Sequence, residues 1–225
     1  MWRINIIDLL FPSKCMMCSS NLDDYNKFYS LCENCLERIN SYMIKHEEKT
    51  PDFLENVNVF YCLFEYRDEI RDIILNYKFN GEIWRGKYFA RLLYDYMERH
   101  SAFDYIDMIT YVPVNDKSMA RRGYDQVYEI SAEISKISKI LLVDCFKKND
   151  KIKDNAAENK SRIDRLNEKK YTLLNNIDTI KGKNILLIDD VLTTGATINE
   201  CVKLLNENGA QNIYVAILAT GRKDI

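Results

Sequence analysis

With 225 residues, 47% apolar content and a net charge of −2, the chain can bury a full core in one or two domains and carries no global signal for nucleic acid. No stretch approaches the ~20 apolar residues of a membrane span, and two histidines in the whole chain argue against His-based triads. Three prolines, seven glycines and no low-complexity tract or internal repeat leave little room for long flexible linkers.

Trp2 to Phe11 is apolar, but it carries Arg3, Asn5 and Asp8 and lacks a small-residue cleavage site. It makes a poor signal peptide, so a cytoplasmic protein is expected. Next come Cys15-Met16-Met17-Cys18 and Cys32-Glu33-Asn34-Cys35, two Cys-x-x-Cys knuckles separated by thirteen residues. Disulfides would need an oxidising compartment, and a redox Cys-x-x-Cys pair would not come duplicated. Each knuckle presents two thiolates, and two knuckles close a tetrahedral site, so Cys15, Cys18, Cys32 and Cys35 are expected to hold a structural zinc in a small ribbon-like module. A closed site has no open position for chemistry; removing the metal is expected to unfold about the first 45 residues and spare the rest. Cys62, Cys145 and Cys201 are unpaired in sequence and read as core.

The acid-rich stretch Lys45 to Asn56, with Pro51, reads as a boundary between a zinc module at 1–50 and a larger domain at 57–225. Val57 to Phe64 is an apolar strand. Arg71 to Phe79 reads as a helix with Ile73, Ile74 and Tyr77 on one face, and its Lys78 either points into a crevice or is merely solvated. Gly86 to Met97 is a Tyr-rich amphipathic helix whose aromatics recur at core spacing. Met108 to Val112 is a strand stopped by Pro113, giving the loop Pro113-Val114-Asn115-Asp116. Arg121 and Arg122 follow, ahead of a helix with Val127, Ile130, Ile134 and Ile137 inward; arginine grips phosphates bidentately, although such pairs also decorate surfaces. Lys147 to Lys170 holds nine basic and five acidic residues with few large apolar ones, an exposed arm.

The most informative segment follows. Ile185-Leu186-Leu187-Ile188 is a short uninterrupted apolar run, as a strand covered on both faces of a parallel sheet requires. Asp189 and Asp190 stand at its end, then Thr193-Thr194-Gly195-Ala196-Thr197, then a helix with Ile198, Cys201, Val202 and Leu205 on one face ending at Gly209. Ile213 to Leu218 is the next strand. In an open α/β sheet the ligand crevice lies outside the carboxyl ends of the strands, where Thr193 to Thr197 fall. Backbone N–H groups at a helix N-terminus, a glycine permitting close approach and three hydroxyls suit a phosphate dianion. The aspartates suit neighbouring hydroxyls or Mg²⁺, so the string describes a ribose 5-phosphate better than a triphosphate. A purely structural alternative makes Thr197 and Glu200 a capping box.

This string resembles the phosphoribosyl-diphosphate signature of type I phosphoribosyltransferases. The wider set narrows the resemblance: Leu10-Phe11-Pro12 before the Cys₄ module, Tyr77-Lys78-Phe79-Asn80-Gly81, Val112-Pro113-Val114, Arg122-Gly123-Tyr124-Asp125-Gln126, Arg165-Leu166-Asn167 and Ile188 to Thr197 together resemble the ComF family of competence-associated, phosphoribosyltransferase-like proteins, across essentially the whole chain. Two departures stand out, Asp125 where the family usually has Asn and Asn155-Ala156-Ala157 where the arm tends to carry Gln. The resemblance implies an α/β, type I phosphoribosyltransferase fold, a parallel sheet flanked by helices, attached to the zinc module. It implies binding of 5-phosphoribosyl 1-diphosphate and Mg²⁺ by Asp189 and Asp190, by Thr193, Thr194, Gly195, Ala196 and Thr197, by the pyrophosphate loop Pro113, Val114 and Asn115, and by Lys78, Arg121, Arg122 and Arg165. The arm, with Lys160 and Arg162, corresponds to the segment that closes over the site. Family links to DNA uptake and use imply single-stranded DNA and other uptake proteins as partners. Two readings follow: a phosphoribosyltransferase, that is, a glycosyltransferase of pentosyl groups, or a non-catalytic single-stranded DNA-binding accessory protein. A nucleobase transferase of salvage is a third; purine salvage enzymes of the hypoxanthine type place a base-directed acid where this chain has Thr193.

Overall fold

The computed structural model describes residues 13–22, 30–45, 50–149, 170–174 and 177–225. Four strands, β1 (Val59–Glu65), β2 (Met108–Tyr111), β5 (Asn184–Leu192) and β6 (Asn212–Thr220), form an all-parallel sheet in the order β1-β6-β5-β2. Their apolar runs are covered on both faces, which is why they read as continuous rather than alternating sequence. One face packs against helices α2 (Asp68–Phe79), α3 (Gly86–Glu98) and α5 (Gln126–Ser138). The other packs against α7 (Ala196–Glu207), the short helix α6 (Ile177–Ile180), and a hairpin of β3 (Phe146–Lys148) and β4 (Tyr171–Leu173).

The connections locate a crevice. From β2 the chain runs through α4 (Asp116–Arg122) and α5 to Leu142, which bridges back to Ile109 on the outer side of β2. From β5 it runs through α7 to β6 on the opposite side. Neighbouring strands whose connections depart in opposite directions leave a gap between their loops, the topological switch point where ligands bind in open α/β sheets.

Several elements differ from the expected bounds. Helix α2 begins at Asp68 rather than Arg71, since Asp68 and Glu69 favour the positive end of the helix dipole. Helix α4 was not expected. Asn115 caps it by accepting from the Ser118 N–H at 2.7 Å, and Gly123, at φ +79°, ends it, so Arg121 and Arg122 lie in a helix and not in a loop. Strand β5 runs beyond Ile188 to Leu192 because its pairing with β6 continues to Leu192 opposite Thr220. Lys147 and Lys148, placed in the exposed arm by sequence, belong to β3; residues 150–169 of that arm lie outside the described residues.

The cysteine segment is not a bead on a linker. Helix α1 (Glu33–Asn40) buries Cys35 and Ile39, which with Cys15, Met16, Leu22 and Leu31 join the core of the first sheet face. The chain then pairs antiparallel with the edge of β1, with the Ile44 N–H donating to the Leu63 carbonyl at 3.0 Å and Glu65 to Tyr42 at 2.8 Å. Tyr96 of α3 donates to the Ile44 carbonyl at 3.1 Å, and Arg38 of α1 pairs with Glu69 of α2. Cys62, Cys145 and Cys201 are all buried, as expected. No described helix is long and apolar enough to cross a membrane.

Candidate functional site

Side chains alternate faces along a strand, and β5 applies that rule to two adjacent aspartates. Leu186 and Ile188 enter the core under α2, α3 and α5, whereas Ile185 and Leu187 enter the core under α7. Asp190 follows the first pair and Asp189 the second. The two carboxylates therefore meet different surroundings.

Asp190 is buried. Its Oδ1 accepts from Lys78 Nζ at 2.8 Å and its Oδ2 from Gln126 Nε2 at 2.8 Å. Burial works to raise its pKa, but the Lys78 charge and the hydrogen bonds from Lys78 and Gln126 outweigh it and hold the carboxyl below the usual range. Lys78 reaches the site because the last turn of α2 ends at the crevice, which decides between its two sequence readings for the crevice. Gln126 is fixed in turn: its backbone carbonyl accepts from Tyr77 Oη at 2.7 Å and its Oε1 from Arg122 at 2.6 Å. Tyr124 Oη donates to the Tyr77 carbonyl, closing the network.

Asp189 is partly exposed, and its Oδ1 accepts from the Asp190 N–H at 2.8 Å. Burial and then the Asp190 charge push its carboxyl well above the usual range, with Lys78 and Lys148 offsetting this only in part. Among the described residues it has no side-chain ion-pair partner. Nearby, the Tyr171 N–H donates to Glu200 Oε1 at 2.9 Å. That contact overturns the capping-box alternative: Glu200 faces β4, and the N-cap of α7 is Gly195, with no side-chain cap.

The signature loop turns between β5 and α7. Gly195 takes φ +83°, and a Cβ there would meet the Phe53 ring at 3.0 Å, so glycine is required both for the turn and for the neighbour. Thr193, Thr194 and Ala196 are exposed, Thr197 is half-buried, and the Ala196 N–H donates to Thr194 Oγ1 at 3.4 Å. The loop is braced from outside. Asn199 donates to the Phe53 carbonyl at 2.8 Å and accepts from the Glu55 N–H at 3.1 Å, and Leu54 is buried against the core of α7. Arg222 lies over the Phe53 ring at 3.7 Å and donates to the Thr193 carbonyl at 3.4 Å.

Across the crevice, Pro113, Val114 and Asn115 follow β2, half-buried. The Val114 N–H donates to Asp125 Oδ2 at 3.0 Å, while Asp125 Oδ1 caps α5 through Val127 and Tyr128. A carboxylate thus serves three backbone donors where the family pattern has Asn. Burial nevertheless raises its pKa, against those hydrogen bonds. Arg121 and Arg122 both stack on Phe79, at 5.1 and 4.7 Å, and Arg122 Nε is buried with no hydrogen-bond partner among the described residues. Arg165, Lys160 and Arg162 lie outside the described residues. Sequence reasoning missed Gln126, Phe53 and Arg222 as site residues. Gln126 stood in the Arg-Gly-Tyr-Asp-Gln string; Phe53 and Arg222 carried no local signal, because they meet only through the fold.

At the other end of the chain, the sulfurs of Cys15, Cys18, Cys32 and Cys35 all lie within 4.8 Å of one another. A tetrahedron with Zn–S near 2.3 Å has S–S edges of about 3.8 Å. Cys18 Sγ and Cys32 Sγ stand 3.8 Å apart, so this donor set could hold a metal such as zinc. Hydrogen bonds from the Ser20 hydroxyl and then its backbone lower the Cys18 thiol to about 6. Burial pushes Cys35 up.

A parallel sheet with a phosphate-type loop at its switch point, and acids and cations converging there, defines a phosphoribosyltransferase-type domain. The family model of the phosphoribosyl transferase domain matches residues 118–225. Competence protein ComFC of Streptococcus pneumoniae is 28% identical over 89% of this chain and 96% of its own length. Competence protein F of Haemophilus influenzae is 27% identical over 93% of this chain and 97% of its own. The two competence proteins and the domain match together support a ComF-family, phosphoribosyltransferase-like protein with the type I phosphoribosyltransferase fold. An adenine phosphoribosyltransferase from Thermoanaerobacter pseudethanolicus is a looser likeness, at 15% identity and a TM-score of 0.43 over 82% of this chain and 99% of its own.

Proposed function

We propose that the crevice between β5 and β2 binds 5-phosphoribosyl 1-diphosphate with Mg²⁺. The observation that carries this reading is the ordered pair near the end of β5: Asp190 locked by Lys78 and Gln126, and Asp189, with no ion-pair partner among the described residues, six positions before Gly195. Thr193 to Thr197 and the N-terminus of α7 take the 5-phosphate. Asp189 faces the ribose hydroxyls and Mg²⁺, whose charge would favour its ionised form. Lys78, Arg121, Arg122 and, from the arm, Arg165 neutralise the pyrophosphate, with Pro113 to Asn115 along its path. The four cysteines hold a structural zinc in a module at 1–50, ahead of the transferase-like domain at 57–225. The names of the two full-length relatives support a role in DNA uptake or DNA use, carried out in the cytoplasm with single-stranded DNA and uptake proteins as partners.

Calorimetric titration with the diphosphate and Mg²⁺ tests the pocket. Asp189→Asn is the informative variant, because Asp190→Asn disturbs a buried ion pair. Binding by the wild type and a loss of tenfold or more in the variant, about 1.4 kcal/mol, are expected; no binding by the folded wild type, or equal binding by both, defeats the reading. Pyrophosphate release in the presence of nitrogen acceptors then measures transfer.

A further inference from the structure

A second concavity opens at the carboxyl ends of β1 and β6, beside the phosphoribosyl loop. It has a volume of about 540 Å³, enough for a heterocycle with its substituents. Its walls come from three separated parts of the chain: Met43 to Lys45 from the cysteine segment, Glu65 to Arg67 at the end of β1, and Thr220 to Lys223 with Ile225 at and beyond the end of β6. Four cations line it, Lys45, Arg67, Arg222 and Lys223, against one acid, Glu65. Glu65 is spent on Arg67, which also reaches Asp68 at 2.8 Å and lies over Tyr42 at 4.7 Å. Arg222 is held by Asp224, stacks on Phe53 and touches the Thr193 carbonyl, so one wall of the concavity is a wall of the signature loop. Among the described residues neither Lys45 nor Lys223 has an ion-pair partner. Ile44, Tyr66 and Ile225 supply apolar and aromatic surface between the charges.

Two observations combine here. Among the described residues, Lys45 and Lys223 stand on the cavity wall without an ion-pair partner while Arg67 and Arg222 are paired, and Tyr66 and Ile44 lie between these charges. That polarity rejects a base that donates hydrogen bonds to a carboxylate and favours a ligand that brings its own negative charge. We propose that this cavity binds a planar nitrogen heterocycle bearing a carboxylate, seated against Tyr66 and Ile44 with its carboxylate toward Lys45 and Lys223. The assignment of the neighbouring loop as a phosphoribosyl pocket is the reading on which this ligand's placement rests; the charge and shape of the cavity stand apart from it.

Two isosteric pairs separate charge from shape: nicotinate against nicotinamide, and orotate against uracil. Each is titrated into the full chain with Mg²⁺, with and without 5-phosphoribosyl 1-diphosphate, and binding is followed by calorimetry and by thermal shift. Both carboxylates should bind about tenfold or more tightly than their neutral partners. Lys45→Glu/Lys223→Glu should erase that preference while leaving diphosphate binding intact, since among the described residues the cavity wall's hydrogen bond to the signature loop comes from Arg222; Lys45→Arg/Lys223→Arg should restore it. Equal binding within both pairs, binding by neither carboxylate, or an undiminished preference in the charge-reversed variant overturns the proposal. A single-stranded oligonucleotide that binds and is weakened by the same reversal, while no carboxylate binds, also overturns it and assigns the cations to a nucleic-acid backbone. Loss of diphosphate binding alone, with the carboxylate preference retained, strikes at the phosphoribosyl reading and leaves the cavity assignment standing.

Discussion

The two faces of the sheet treat the same residue type in opposite ways. On the face under α2, α3 and α5, Asp190 is buried against a lysine and a glutamine and is held ionised. On the face under α7, Asp189, its chain neighbour, accepts among the described residues only a backbone N–H, and burial and then the Asp190 charge raise its pKa. The first face is a structural network of tyrosines, Gln126, Arg122 and Lys78 that shares its core with the cysteine segment. The second ends in an exposed loop braced by Phe53 and Arg222. A charge satisfied internally fixes geometry; a charge left unsatisfied is available to a ligand.

Metal removal is the strongest way to break this contrast. Because Cys15, Met16, Cys35 and Ile39 share a core with the first face, and residues 42–44 pair with β1, chelation should disturb more than the first 45 residues. Structural zinc sites in isolated modules contribute on the order of 10 kcal/mol. Hydrogen exchange after chelation should show lost protection in α1, β1 and α3, with α7 and β6 less affected. Equal loss on both faces would mean that the two cores do not melt separately.

Lys78→Met sharpens the contrast from within the first face. It leaves Asp190 buried and unpaired, at a cost of about 3–5 kcal/mol. The sign with pH follows from the lowered pKa: the pair stabilises the fold above the unfolded-state value near 3.9 and loses that contribution as pH falls through the lower folded value. The gap between wild type and variant in thermal unfolding should therefore be wide at pH 7 and close toward pH 3. A gap independent of pH would remove the Lys78–Asp190 charge interaction as its cause.

Most of this site was legible in the sequence, and what was hidden was hidden for one reason. Hydrophobic runs placed β5, β6 and β2, and the Thr-Gly string placed the loop, because strand burial and glycine at positive φ are local demands. The Asn115 cap and Gly123 that bound α4 were also local, but the basic residues between them drew attention away from the helix signal. Phe53, Arg222 and Gln126 act on Gly195, Thr193 and Asp190, which lie 142, 29 and 64 positions away, and no periodicity reports such pairings. The acid-rich stretch around Pro51 looked like a connector because its charges are conspicuous. Its buried Leu54 and its contact with Asn199 are two apolar and polar details inside that charge.

The smallest expected effect is the most discriminating. Asp189→Asn keeps an oxygen that can accept from the Asp190 N–H and removes the charge that burial and Asp190 disfavour. With its folded pKa raised above the unfolded value near 3.9, Asp189 binds a proton in the folded state that the unfolded state has released, so it costs stability increasingly as pH rises through that window. The substitution should therefore stabilise the ligand-free protein by roughly 1 kcal/mol near neutrality, about 2–4 °C in melting temperature. That gain should vanish near pH 4. Asp190→Asn, one residue along the same strand, should destabilise under the same conditions because it strands Lys78. Opposite signs from identical substitutions at adjacent positions would establish that strand alternation, rather than the acid pair as a unit, divides anchoring from ligand recognition; equal signs would return the two aspartates to a single role.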